Sequence, residues 1–226
     1  MIVKKTLHQV NVLKKDPTAP YAIYVENKSS SHLVIYFGSH NGEFRGTSTI
    51  QALNCNAIFM RSNHATWYLE DIPTLGATPE EVSQTINNHI KAHPHIKTVT
   101  LAGFSMGAFA ALLYSTWINA TKVVATAPQT IYPTHDTAIG ITNPFWLKYS
   151  VISELWKEVG HPSCETIIQC CAEIDPNEVW RDIEEAELLE PFEHVTLHRY
   201  PCKGHKGISP LLLANTSKYE STFLCD

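Results

Sequence analysis

The segment Gly103-Phe104-Ser105-Met106-Gly107 sets a serine between two glycines, with the apolar run VTLAG before it and the small-residue run GAFAALL after it. A serine hydroxyl is a weak nucleophile until a base takes its proton. Histidine supplies such a base near neutral pH, and a carboxylate fixes its tautomer and steadies the imidazolium. If a strand ends at this serine and a helix starts at once, the serine takes strained backbone angles and its neighbours must be small. Gly103 and Gly107 have that spacing, and Ala108 and Ala110 extend the close packing. Such a turn projects the Ser105 hydroxyl beyond the sheet edge and aims the Met106 amide, at the helix N-terminus, into the same space. Gly-x-Ser-x-Gly alone is a weak signal; the strand before and the helix after give it meaning.

The elements that must position this serine alternate along the chain. Short β-rich runs cover 21–25, 33–37, 56–61, 97–103, 121–127, 166–172 and 195–200. Helices fit 79–93, opened by Thr78-Pro79-Glu80-Glu81, then 106–118, 177–189 and 206–217. Residues 128–163 break the rhythm with Pro128, Pro133, Gly140 and Pro144, followed by the aromatic-rich stretch FWLKYSVISELWKEV. Alternating strands and helices predict an α/β class: one domain over 1–226, a mostly parallel central sheet with helices on both faces, and a short insertion at 128–163. Phe145, Trp146, Tyr149 and Trp156 in that insertion would form either a lid over the site or the packing face of a surface helix.

With these parts in order, the chain resembles the α/β-hydrolase family from about residue 21 onward, least so over 128–163. That family carries serine, acid and histidine in this order. The resemblance implies Asp175 as the acid, because IIQCCAEIDPNE runs from an apolar strand into Asp175-Pro176; Glu173 and Asp182 are the neighbouring alternatives. It implies His205 as the base, because VTLHRY runs into Pro201-Cys202-Lys203-Gly204-His205, a Gly-His pair in the loop after the last strand. The first oxyanion donor would be the Met106 amide. The second should come from Gly38-Ser39-His40-Asn41-Gly42, where family members often carry His-Gly and this chain has Phe37-Gly38. The Ser39 amide is the first candidate and the Gly38 amide the next. His40 and Trp146 are candidates for the pocket wall, with a solvated loop histidine the equal alternative for His40.

Composition narrows the classes. With 226 residues, 44% of them hydrophobic and 17% charged, the chain can bury one core and is not disordered as a whole. A net charge of −5 without a basic block argues against a nucleic-acid partner. No apolar run reaches the roughly 18–20 residues that span a bilayer. His8, Gln9 and Asn11 interrupt the N-terminal segment where an export signal would need an apolar core. The six cysteines show no CxxC pair and no zinc-ligand spacing, and Cys170 and Cys171 read as buried thiols, which suits a reducing cytoplasm. Of the twelve histidines, His93 and His95 fit a loop before a strand rather than a metal site, and His194 and His198 precede the catalytic loop. The expected activity is cleavage of a carboxylic ester or thioester, through an acyl-enzyme and with no metal or organic cofactor. The partner would be a small acyl substrate. Acyl transfer on the same residues and a non-catalytic binding protein that keeps the elbow as packing are the alternatives.

Overall fold

A computed structural model describes residues 1–38, 41–62, 66–131, 148–214 and 221–223. Eight strands form one sheet: β1 (Val3–Lys4), β2 (Ala22–Val25), β3 (His32–Phe37), β4 (Asn56–Met60), β5 (Thr98–Phe104), β6 (Lys122–Thr126), β7 (Glu165–Glu173) and β8 (Val195–Lys203). Their order is β1-β2-β4-β3-β5-β6-β7-β8. Only the β2–β4 pairing is antiparallel among the described residues. The helices are α1 (Leu7–Leu13), α2 (Thr47–Leu53), α3 (Pro79–Lys91), α4 (Met106–Tyr114), α5 (Ile152–Val159), α6 (Asp182–Glu187) and α7 (Gly204–Ala214).

Side chains on the central strands alternate between two cores, as the two-residue period of a strand requires. Leu33, Ile35 and Phe37 of β3 face α3, α4, α5 and α6, while Val34 and Tyr36 face α1 and α2. Every residue of β3 and β4 is buried, which is why these strands read as continuous apolar runs rather than alternating ones. Helix α4 is buried along its whole length and sits against β5, β6 and β3. A third apolar group, Ala127, Cys171, Ile208 and Leu212, seats α7.

The topology itself marks a place for a site. After β3 the chain moves to its neighbour β4 on one side, then returns to β5 on the other side of β3. The segments leaving the carboxyl ends of β3 and β5 therefore diverge, and crevices in open α/β sheets form at such reversals. Phe37 and Gly103 are register partners at this point, one residue before Gly38 and two before Ser105.

Several boundaries differ from the sequence reading, and β1, α1 and α2 were not anticipated. Helices α1 and α2 have seven residues each and one buried residue each, Val10 and Ile50, too few for a hydrophobic period to register. A capping box was present for α1: the Thr6 side chain accepts from the Gln9 amide and Gln9 returns the bond to the Thr6 amide. The expected helix over 177–189 contracts to Asp182–Glu187. The last helix begins at Gly204, directly from β8, so His205 lies in its first turn and not in a loop. In the insertion, Tyr149 and Trp156 are 3% and 1% exposed and pack in the core, against Trp117 and Phe192 respectively. They are packing residues and not lid residues. Phe145 and Trp146 lie outside the described residues.

The β5–α4 junction depends on two missing side chains. A Cβ on Gly103 would fall 2.1 Å from the Gly107 carbonyl oxygen, and one on Gly107 would fall 2.3 Å from the Phe37 carbonyl oxygen. Both obstacles are backbone and cannot rotate away. Gly103→Ala should therefore lose about 3 kcal/mol, lowering Tm by roughly 6–12 °C in a chain of this size, as read by thermal unfolding.

Candidate active site

Ser105 joins β5 to α4 with φ 57° and ψ −124°, a conformation that non-glycine residues avoid. Three backbone bonds hold it there. The Ser105 amide donates to the Thr126 carbonyl at 2.9 Å, and the Ser105 carbonyl accepts from the Ala108 and Phe109 amides at 2.8 and 3.1 Å. Beneath it, the Thr126 hydroxyl donates to Gln169 Oε1 at 2.9 Å, and Gln169 Nε2 reaches the Tyr200 hydroxyl at 3.4 Å, so a polar chain crosses β6, β7 and β8. Met106 is the first residue of α4, where amides lack an intrahelical acceptor.

His205 Nδ1 lies 2.7 Å from Asp182 Oδ2, and the two side chains are 8% and 9% exposed. The Phe104 and Trp180 rings each lie with centroids 5.4 Å from the imidazole. Burial pushes the Asp182 carboxyl above the usual range, while its hydrogen bond to His205 pulls it back. Phe104 immediately precedes Ser105, so its contact with the imidazole brings His205 beside the serine turn.

The acid expected at Asp175 is thus corrected: Asp182 makes the bond to His205. Asp175 is occupied by its own turn, its Oδ1 accepting from the Asn177 backbone amide and side-chain amide at 3.0 Å each, with Lys203 Nζ at 3.9 Å. Glu173 ends β7 with its side chain exposed, opposite Lys203. The chain needs the segment from Ile174 to Arg181 to bring a carboxylate under the imidazole. The signal in the sequence was slight, an aspartate opening the run DIEEAE behind Trp180-Arg181.

The Gly38 amide, second choice as an oxyanion donor, donates to the Met60 carbonyl at 2.9 Å and so is taken up by the fold. Ser39 and His40 lie outside the described residues. A support not foreseen is Tyr68, whose buried hydroxyl lies 3.2 Å from both the Gly38 and the Met60 carbonyl oxygens. The Tyr114 hydroxyl of α4 in turn donates to the Tyr68 carbonyl at 3.2 Å.

Cys171 is not a free thiol: it is bridged to Cys202, across β7 and β8 and 31 residues apart. Sequence spacing is blind to such a pair because the two strands meet only in the sheet. Bridges of this kind are rare in a reducing compartment. Cys170 and Cys55 are buried thiols, and burial pushes the latter up to about 12. The His89 and His93 rings lie tilted with centroids 4.3 Å apart, and His95 meets His93 edge-on at 6.0 Å. Among the described residues, no group of three or more His, Cys, Asp or Glu side chains is placed to hold a metal ion. No described helix is long and apolar enough to cross a membrane.

No family model and no curated protein matches this sequence. Solved structures do match in shape. Fluorophosphonate-binding serine hydrolase F of Staphylococcus aureus is 9% identical with a TM-score of 0.57, over 93% of this chain and 87% of that one. The S-formylglutathione hydrolase of Staphylococcus aureus is 10% identical with a TM-score of 0.56, over 86% and 84%. A monoacylglycerol lipase of Paleococcus ferrophilus is 15% identical with a TM-score of 0.57, over 91% and 100%. The chain has the α/β-hydrolase fold.

Two measurements follow from this geometry. Digestion under non-reducing conditions should yield a peptide cross-linked through Cys171 and Cys202, and Cys171→Ala should cost about 2–4 kcal/mol. Glu185, buried one turn beyond Asp182, accepts from the Thr130 and Ile131 amides at 2.7 and 3.0 Å, and burial raises its carboxyl to about 7. The folded chain therefore holds this proton more tightly than the unfolded one. That advantage is complete below pH 4.5, the ordinary value, and is lost as the pH rises through about 7. Glu185→Gln keeps an acceptor for both amides and should remove a pH-dependent loss on the order of 2 kcal/mol, read as a flatter plot of unfolding free energy against pH.

Proposed function

We propose that this chain is a serine hydrolase that cleaves a carboxylic ester or thioester through an acyl-enzyme on Ser105. The observation that carries the reading is the buried 2.7 Å contact between His205 and Asp182, next to a serine held at φ 57°. Asp182 Oδ2 accepts the proton-bearing Nδ1 of His205, which leaves Nε2 as the base for the Ser105 hydroxyl. As the serine oxygen attacks the acyl carbon, the carbonyl oxygen gains negative charge, met by the Met106 amide and by an amide from beyond residue 38. Each such donor is worth roughly 10²–10³ in rate. His205 then returns the proton to the leaving group, and the acyl-serine forms. Water, deprotonated by the same nitrogen, attacks it and frees the acid.

The names of the shape-related proteins, a fluorophosphonate-binding serine hydrolase, an S-formylglutathione hydrolase and a monoacylglycerol lipase, support an acyl substrate for this chain. The polar chain from Thr126 to Tyr200 and the engaged Gly38 amide support a rigid serine turn with its second oxyanion donor beyond residue 38.

Labelling with a fluorophosphonate probe and turnover of p-nitrophenyl acetate test the proposal. Ser105→Ala should abolish both while the thermal unfolding curve stays close to wild type. Asp182→Asn should lower kcat roughly 10³–10⁴-fold, because the amide favours the wrong imidazole tautomer. Asp175→Asn should stay within about threefold, since asparagine keeps an Oδ1 acceptor for Asn177 and the backbone carbonyl for the Glu178 amide. A wild-type chain that neither labels nor turns over any ester would sink the proposal.

A further inference from the structure

Resting on the hydrolase reading, we propose that Glu178 is a positioning residue that fixes the backbone of His205, as Asp182 fixes its ring. Glu178 Oε2 accepts from the His205 backbone amide at 2.5 Å. That amide is one of the first in α7, where no intrahelical carbonyl is in reach and the helix end is electropositive, so a carboxylate is well matched to it. The approach requires Gly204: at φ +71° it turns β8 into α7, and a Cβ there would fall 2.5 Å from Glu178 Oε2 and 2.8 Å from Asp175 Cβ.

Glu178 is itself held. Its amide donates to the Asp175 carbonyl at 3.0 Å, and Asp175 is anchored through Asn177 with Lys203 at 3.9 Å. The segment between β7 and α6 and the first residue of α6 thus grip His205 at two places, the main-chain nitrogen through Glu178 and the ring nitrogen through Asp182. With the ring alone held, the imidazole could pivot about Asp182 Oδ2 and carry Nε2 away from Ser105. Asp175, the residue first expected to be the acid, serves this clamp instead.

Because His205 moves protons in the transition state and does not hold the bound ester, loosening it should lower kcat and leave KM nearly unchanged. Misplacement on the scale of 1 Å can cost on the order of 10²-fold. Glu178→Ala should therefore reduce kcat for p-nitrophenyl acetate by roughly 10–100-fold, with KM within about threefold. Glu178→Gln retains an acceptor oxygen and should recover most of that loss. Hydrogen exchange at the His205 amide gives a reading that does not depend on turnover: it should speed up at least about tenfold in the alanine variant and not in the glutamine variant. Glu178→Asp, too short by one methylene to reach the amide, provides the same comparison if the alanine variant does not fold.

An alanine variant with wild-type kcat, or a glutamine variant as impaired as alanine, would overturn the positioning role while the hydrolase reading stands. Absence of fluorophosphonate labelling in the wild-type chain would instead remove both.

Discussion

The approach of β5 to α4 sets the geometry on which the rest of the site depends. With backbone of Gly107 lying where any Gly103 side chain would be, the strand can end and the helix begin within one residue. That residue is Ser105, and it takes up the strain of the turn, a conformation costing about 1–3 kcal/mol. The offset comes from a helix buried along its full length and from the three backbone bonds that Thr126, Ala108 and Phe109 make to it. The fixed geometry of the Ser105 turn is thus a by-product of core packing.

The Asp182–His205 pair follows the last two strands of the sheet and has a different support. Asp182 and His205 follow β7 and β8, which pair in parallel from Thr166 with Val195 onward and are tied near their carboxyl ends by the Cys171–Cys202 bridge. Parallel pairing brings both following segments out on one edge, the same edge from which β5 delivers Ser105. The bridge lies three residues before His205, and Gly207 provides the space above it, a Cβ there falling 3.2 Å from Cys171 Sγ. The register of β8 is therefore defined close to the point where His205 leaves it.

Burial of the Asp182–His205 pair has an energetic logic. A carboxylate taken out of water is costly unless it is paired, and here the imidazole is its partner while Oδ1 makes no hydrogen bond among the described residues. The hydrogen bond from His205 Nδ1 therefore returns part of the solvation that this carboxylate loses on burial. Phe104 and Trp180 beside the ring keep the local dielectric low, which strengthens that return.

The serine turn, the strands around it and the order of elements were legible in the amino-acid sequence because each depends on contacts within a few residues. Gly103 and Gly107 bracket Ser105, apolar runs mark β3 to β8, and Gly204-His205 announces the end of β8. Fold class follows from that alternation, since parallel strands need helical crossovers. The carboxylate that bonds His205 was not legible. Asp175 and Asp182 are both carboxylates after the same strand, and only the path of residues 174–181 decides that one closes a turn on Asn177 while the other reaches the imidazole. The Cys171–Cys202 bridge, the capture of the Gly38 amide by Met60 and the Glu178 contact with the His205 amide have the same origin. Each joins groups far apart in the chain, and a sequence carries no record of such a meeting until the sheet sets the register and the loops close over its edge.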